Sequence, residues 1–304
     1  MTATITPTAK HTGATITRPV DGEGAYMDGG TAPLAPILQT LADRAQYARG
    51  STWGTLIGGE EYSVDSGGTS TVFTARVNAF EAITIRDSTG VFWPLYTSAD
   101  TTWSLADVEG APANLSNSTW YYCYLGVSTA GVLTRQISTT APGASRKWKS
   151  TAIDQQRYIG CFHTTSSGAP IPLRALRGRY LYRYSAANGH GGGAETISAT
   201  QAFTDLDLNG YLPPHARIAH MHYELINDDT TSGDEVASAI RTNGETTSSL
   251  SVQVPHASGA GLDNASRAHV FFEIETDSSQ RVEVQVTGSS TSFLVNLYVR
   301  GFSE

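Results

Sequence analysis

The stretch Arg281-Val-Glu-Val-Gln-Val286 alternates valine with a charged or polar residue. Successive side chains of a β-strand point to opposite faces of a sheet, so this pattern predicts a strand with one buried and one solvated face. Similar runs occupy residues 217–225, 236–241, 249–254, 269–275 and 292–299. A series of alternating strands without a helical repeat predicts a β-sandwich or jelly-roll-like domain.

Period-two runs also fill the middle of the chain. Residues 71–77, 82–86 and 91–96 predict strands separated by glycine-containing turns. Residues 119–127 and 132–137 flank the turn Ser128-Thr-Ala-Gly131 and therefore predict a hairpin.

The glycine-rich stretch Asn188-Gly-His-Gly-Gly-Gly193 is predicted to be a linker, because such chain is flexible and rarely lies inside a sheet. The fold class expected is mainly β, with a short N-terminal helix followed by two β-rich modules. The predicted parts are an extended attachment arm plus helix at 1–50, a β-rich body domain at 51–185 and a C-terminal β-sandwich domain at 186–304.

One helix is predicted, from Ala35 to about Ala48, with Pro36 in its first turn and Gly50 just past its end. Its small and apolar residues recur with the spacing of a coiled-coil seam. They are Leu34, Leu38, Leu41, Ala45 and Ala48. Two interpretations remain open, a short helix bundle between chains and an amphipathic helix lying on its own sheet.

Composition and charge exclude several classes of partner. The net charge is −8 and the sequence pI about 5.5, whereas a nucleic-acid binder needs an extensive basic face. The basic groups are small: Arg146, Lys147 and Lys149 around Trp148, and Arg174, Arg177 and Arg179. Membrane insertion is not expected, because no apolar run approaches the roughly 20 residues that a span requires. The N-terminal sequence has no basic or apolar signal region, which predicts synthesis in the host cytoplasm without a signal peptide.

Candidate chemistry is sparse. His220 and His222 are two residues apart on a predicted strand, so both point to one face and form a weak candidate metal site, with His215 or His269 as a third ligand. Packing or solvent exposure of these histidines is the alternative. Cys123 and Cys161 lie in apolar runs and are expected to be buried thiols.

No enzyme motif is found. Gly143-Ala-Ser-Arg-Lys and Gly160-Cys-Phe-His match neither the nucleophile elbow nor a known cysteine–histidine arrangement, and the glycines at 189–193 do not form a phosphate-binding loop. A non-enzymatic protein without a cofactor is therefore expected. The fourteen tyrosines and five tryptophans fit core packing, protein interfaces or stacking on sugars.

Several stretches resemble tail-fibre and virion structural proteins of bacteriophages. Arg18-Pro-Val-Asp-Gly22, followed by Leu38-Gln-Thr-Leu-Ala-Asp-Arg-Ala-Gln-Tyr47, is similar to the N-terminal arm and helix of such proteins. Trp120-Tyr-Tyr-Cys-Tyr124, Ser138-Thr-Thr-Ala-Pro142 and Tyr158-Ile-Gly-Cys-Phe-His-Thr-Thr-Ser-Ser-Gly168 resemble a β-module of phage fibres. Tyr211-Leu-Pro-Pro-His-Ala-Arg217 and Val299-Arg-Gly-Phe302 resemble the start and end of their terminal β-domains.

The resemblance implies a protein of a phage or phage-like particle, of fibre or baseplate type, located on the virion. The implied partners are further copies of the chain as a homotrimer, other virion or tail proteins through the arm, and a glycan or protein of the host surface. One alternative is a purely structural capsid- or collar-attached fibre without receptor binding. Another is a glycan-binding lectin or a glycan-degrading enzyme.

The heptad spacing leads to a first prediction, on the solution mass of the chain. Light scattering is expected to give a mass near three times 32.3 kDa. Removal of residues 1–50 should abolish this association if the seam from Leu34 to Ala48 holds the chains together. A compact monomer would contradict the fibre interpretation and favour a lectin or an enzyme.

Overall fold

The computed structural model describes residues 2–5, 16–19, 57–58, 61–65, 67–150, 155–183, 193–228, 234–247, 250–255 and 266–304. Within these ranges the backbone forms antiparallel sheets, and the helical element is one 3-10 turn, Leu105–Asp107. The prediction of a mainly β protein is confirmed. The predicted helix, with its seam residues Leu34, Leu38, Leu41, Ala45 and Ala48, lies outside the described residues.

The chain forms two compact units. The first unit comprises Met1–Ser63, Thr71–Asn114 and Tyr121–Cys161, and the second comprises Val64–Ser70, Leu115–Trp120 and Phe162–Glu304. The domain boundaries predicted at 50 and at 185 fall outside the described residues, so that division stays a prediction.

The strands that belong wholly or mostly to the first unit are short and form several small sheets. They are β1 Thr2–Ile5, β2 Ile16–Pro19, β3 Ile57–Gly58, β4 Glu61–Val64, β5 Ala75–Val77, β6 Phe80–Arg86, β7 Phe92–Thr97, β8 Thr101–Trp103, β9 Trp120–Val127, β10 Leu133–Ser138 and β11 Gln156–His163. Strand neighbours are β1-β2, β3-β6-β7, β4-β5-β8 and β10-β9-β11. The predicted hairpin is confirmed: β9 pairs with β10, and Gly131 N donates to Ser128 O at 2.9 Å in the connecting turn.

One residue of the predicted basic group around Trp148, Lys149, forms contacts within its own unit. Its side chain is only 6% exposed, and its Nζ donates to Glu109 Oε2 at 3.0 Å and to Gln136 Oε1 at 3.1 Å. The hydrogen bonds from Ser138 and Lys149 hold the pKa of the Glu109 carboxyl below its ordinary value. Lys149 therefore neutralises a carboxylate of its own unit, whereas Arg146 and Lys147 are exposed.

The strands of the second unit are longer. They are β12 Leu173–Leu176, β13 Arg179–Tyr182, β14 Gly193–Ile197, β15 Gln201–Asp207, β16 Ile218–Asn227, β17 Glu235–Thr242, β18 Leu250–Pro255, β19 Ser266–Glu275, β20 Arg281–Gly288 and β21 Phe293–Ser303. The last eight of these form two sheets, with strand orders β14-β21-β16-β19 and β15-β20-β17-β18. Numbered from one to eight along the chain, these orders read 1-8-3-6 and 2-7-4-5, which is the strand arrangement of a jelly roll. β13 also pairs with β21, and β12 pairs with β13.

The two sheets of the jelly roll bury alternate side chains between them. On β16 the buried apolar residues include Ala219, Met221 and Leu225, and on β20 they are the three valines of the opening stretch. These valines, Val282, Val284 and Val286, are at most 1% exposed. Full burial of one such side chain contributes roughly 1.5–3 kcal/mol, so the alternation supplies the main stabilisation of this unit.

A bulge in β21 changes the alternation near the C-terminus. Facing β16, Gly301 pairs with His220 and Val299 with Met221, so Arg300 is an extra residue on β21. Before the bulge Val295, Leu297 and Val299 are buried, and after it Phe302 is buried. Arg300 thus follows Tyr298 on the side of the sheet away from the sandwich core, and the bulge returns Ser303 to that same side.

Gly301 also permits a close backbone approach between β13 and β21. An added Cβ at this position would lie 1.9 Å from the carbonyl oxygen of Tyr180. Replacement of Gly301 by alanine is therefore expected to force the strands apart and to lower the free energy of unfolding by about 2 kcal/mol or more. The melting temperature followed by circular dichroism measures this effect.

Gly210→Ala is the matched control, because an added Cβ there meets nothing within 4 Å. Its melting temperature should stay close to that of the original chain. Equal melting temperatures of Gly301→Ala and Gly210→Ala would contradict the close approach.

Candidate functional site

The site lies on the surface of sheet β14-β21-β16-β19 that points away from the sandwich core, called here the outer face. Side chains two residues apart on a strand share a face, which places the outer-face residues of each strand in register. They are His220, His222 and Glu224 on β16, His269, Phe271 and Glu273 on β19, and Asn296, Tyr298 and Arg300 on β21.

Three rings stack around the His222 ring. This residue pairs with Phe271 on one side and with Tyr298 on the other. Its ring lies 4.3 Å from the Phe271 ring at an interplanar angle of 9°, and 5.2 Å from the Tyr298 ring at 20°. The His269 ring lies 5.5 Å away at 22°. Each stacked aromatic pair contributes about 0.5–1.5 kcal/mol of stabilisation beyond the area it buries. The stacking therefore fixes the orientation of these rings on the sheet.

Polar contacts fix the tautomer of His222. Arg300 Nη2 lies 3.0 Å from His222 Nδ1. A guanidinium can only donate, so Nδ1 accepts and Nε2 carries the proton. His222 Nε2 lies 3.3 Å from His269 Nδ1 and donates to it, and His269 Nε2 lies 3.7 Å from Glu224 Oε1. A series of polar contacts therefore connects Arg300, His222, His269 and Glu224 in that order.

The charge state of His222 follows from these neighbours. Burial lowers its pKa below the ordinary value of 6.5, the positive charge of Arg300 and the neighbouring His269 lower it further, and Glu224 opposes the shift. The carboxyl of Glu224 has a lowered pKa mainly because it accepts a hydrogen bond from Asn296 Nδ2 at 2.9 Å. The centre of the outer face is thus a neutral imidazole beside a carboxylate.

His220 belongs to a second group of contacts on the same face. Its Nδ1 lies 3.2 Å from Glu273 Oε1 and 3.2 Å from Arg179 Nη2, and its Nε2 lies 2.7 Å from Ser303 Oγ. Arg179 Nη2 also forms an ion pair with Glu273 Oε1 at 2.9 Å. Burial is the largest cause of a lowered pKa of His220.

The metal hypothesis for His220 and His222 stays a prediction. The structure brings His222 together with His269, while His215 Nε2 instead pairs with Glu304 Oε1 at 2.8 Å. The Nδ1 atom of His222 faces the Arg300 guanidinium, a fixed cation at the position where a metal ion would approach that nitrogen.

Exposure singles out Phe271. Its side chain is 71% exposed although it is a large apolar residue, and it lies between His269 and Glu273, whose side chains are 49% and 51% exposed. No sequence motif points to Phe271. The signal was present in His269-Val-Phe-Phe-Glu-Ile-Glu275, where the alternation assigns Phe271 to the polar face.

The cysteines are buried, as expected. Burial raises the pKa of the Cys123 thiol to about 12, and its Sγ lies 3.4 Å from the Tyr62 hydroxyl. A thiol with so high a pKa is protonated at neutral pH and is a poor nucleophile.

Among known proteins, matches are found with solved structures. No protein family matches the sequence, and no curated protein matches it. Among solved structures, the VP2 subviral particle of infectious bursal disease virus aligns at 11% identity and a TM-score of 0.20, covering 82% of this chain and 70% of that chain. Structures of the Gx and Gt strains of this virus align at 12% and 8% identity, with TM-scores of 0.20 and 0.19. They cover 82% of this chain in both cases, and 70% and 74% of those chains. At such scores the fold assignment depends on the strand order of this chain alone.

The geometry predicts a specific titration of His222. Nuclear magnetic resonance of the imidazole protons is expected to give a pKa below 6.5, and Arg300→Gln should raise it because one nearby positive charge is lost. Since the unfolded histidine binds its proton more tightly, the free energy of unfolding should decrease as the pH falls through 6.5.

Lys147→Gln is the matched control, since it removes an exposed positive charge from the first unit. It should leave the His222 titration unchanged. A His222 pKa at or above 6.5, or the same shift from both variants, would contradict the described contacts.

Proposed function

We propose that this chain is a non-enzymatic structural component of a phage or phage-like particle, of fibre or baseplate type. It assembles as an oligomer, with a homotrimer as the expected state, and its jelly roll presents the outer face to the host surface. The N-terminal arm at 1–50 attaches the chain to other virion or tail proteins.

The proposal rests mainly on the difference between the two faces of sheet β14-β21-β16-β19. One face is committed to the sandwich core through Ala219, Met221 and Leu225. The other displays ordered rings and charges, with Phe271 exposed beside Glu273. A stable module with one ordered, chemically mixed surface is suited to repeated weak contacts, which gain strength when several copies act together.

Two further features support this proposal. The resemblance to phage fibre proteins covers the arm, the β9–β11 region and both ends of the last module. Jelly rolls occur in viral capsid and lectin domains, although the same fold also carries unrelated functions. The described residues contain no helix with the length and apolarity that a membrane crossing requires.

A purely structural role without receptor binding is the alternative that shares this architecture. It predicts that the outer face is covered by a neighbouring subunit in the assembled particle. The exposure of Phe271 in the single chain fits both the receptor-binding role and the purely structural role. The surroundings of Phe271 in the assembled particle distinguish between them.

Incorporation into particles tests the proposal directly. Leu38→Glu places a charge in the predicted seam, so this chain should fail to enter particles purified by density gradient, whereas the original chain should co-sediment with them. Quantitative mass spectrometry of the particle band gives the copy number, which should be a multiple of three.

Gln39→Glu is the matched control, because position 39 lies outside the heptad spacing. This variant should be incorporated normally. Recovery of the original chain only in the soluble fraction, apart from any particle, would overturn the proposal.

A further inference from the structure

At the β19 edge of the outer face, the exposed ring of Phe271 is surrounded by hydrogen-bonding groups. Among the described strands, β19 pairs only with β16, so the far side of Phe271 has no described strand beside it. One side of the ring is covered by the His222 ring at 4.3 Å. The stack holds Phe271 upright and leaves its exposed surface, 71% of the side chain, as a platform at the edge of the sheet.

Polar groups lie on both sides of this platform. His269 precedes Phe271 and Glu273 follows it on the same face of β19, each with about half of its side chain exposed. Arg179, 57% exposed, is fixed against Glu273 by their ion pair at 2.9 Å. A ligand above the ring therefore meets an acceptor, an imidazole and a guanidinium within one small area.

The signs of these charges alternate across the face. Arg179 is cationic beside anionic Glu273, and anionic Glu224 lies beside Arg267, with 3.8 Å between Glu224 Oε1 and Arg267 Nη1. A ligand of one charge would be attracted by some of these groups and repelled by others. Hydroxyl groups both donate and accept, so they complement carboxylates and guanidinium groups equally well.

We propose that Phe271, Glu273 and His269 form a binding site for a neutral pyranose of a host-surface glycan. The apolar C–H face of the sugar stacks on the Phe271 ring, and neighbouring hydroxyls donate to the Glu273 carboxylate and bond the His269 imidazole. This inference deepens the host contact proposed above and in that respect rests on it.

A protein partner fits the site less well. The core of a protein interface is a contiguous, desolvated apolar patch, whereas Phe271 is flanked by charged or polar side chains on its own strand face. Sugars need only one ring face and a few polar groups, which is what this edge provides.

Binding of the 304-residue chain to a printed array tests the inference. The array carries neutral bacterial surface polysaccharides and oligosaccharides, together with sulfated and carboxylated glycans. The chain should bind at least one neutral glycan, and Phe271→Ala should weaken that binding roughly tenfold or more because the stacking surface is lost. Phe271→Trp keeps a larger ring and should preserve or strengthen binding.

Tyr96→Ala is the matched control, since it removes another exposed aromatic ring, 59% exposed, from the first unit. It should not change binding. Phe271→Ala loses the stack on His222, so its melting temperature should fall by a few degrees at most, whereas Phe271→Trp and Tyr96→Ala should keep that of the original chain.

Several outcomes would overturn the inference. They are the absence of binding to every neutral glycan, binding to acidic glycans alone, and equal loss of binding in Phe271→Ala and Tyr96→Ala. A change of solution mass in Phe271→Ala would assign the edge to contacts between copies instead.

The particle experiment separates this inference from the proposed function. A chain that enters particles but binds no neutral glycan leaves the virion role standing and removes the sugar site. A chain that binds a neutral glycan through Phe271 but never enters particles has the sugar site without the virion role.

Discussion

The second unit depends on the burial of alternate side chains of β16 against the opposite sheet. β16 lies between β19 and β21, and its odd-numbered residues from Ala219 to Leu225 are at most 1% exposed. Because the side-chain period of a strand is two, a slip of one residue would bring His220, His222 and Glu224 into the core. Burying these polar groups without partners would cost far more than any contact on the outer face supplies. The core therefore fixes the register, and the register places the outer-face side chains.

The outer face is ordered by a small number of strong contacts. Arg300 shares the outer face with Tyr298 by simple alternation, and its Nη2 lies 3.0 Å from His222 Nδ1. This arrangement keeps His222 neutral, so that it can stack between Phe271 and Tyr298 without a charge of its own. The order of the outer face is thus a consequence of core packing and strand register.

The sequence predicts the strands of the second unit well, because alternation is a local property. Arg281–Gly288 matches its prediction closely, since three valines alternate with polar residues. β14 and β15 were not predicted, because Gly193–Ile197 is short and Gln201–Asp207 has few buried positions. The jelly-roll order depends on pairings between distant strands, such as β14 with β21, which a local pattern does not encode.

The site was harder to predict than the fold. The sequence places His220 and His222 on one face, but their partners Glu273, Arg300 and His269 come from other strands. Arg300 follows the predicted run 292–299 and shares the face of Tyr298 by alternation, whereas Ser303 reaches this face only through the bulge, which has no signature in Val299-Arg-Gly-Phe302 beyond its glycine. The position of Phe271 could have been predicted, because the alternation of His269–Glu275 places this aromatic residue on the polar face of the strand.

We expect the outer face of the jelly roll to stay exposed to solvent when the chain is assembled. Electron cryo-microscopy of the purified oligomer tests this most directly, because it shows the number of copies and the surroundings of β19 in the same map. Three copies around one axis are expected, with Phe271 and Glu273 of each copy facing solvent. A map in which β19 is covered by a neighbouring copy, or in which the chain is a monomer, would contradict this expectation.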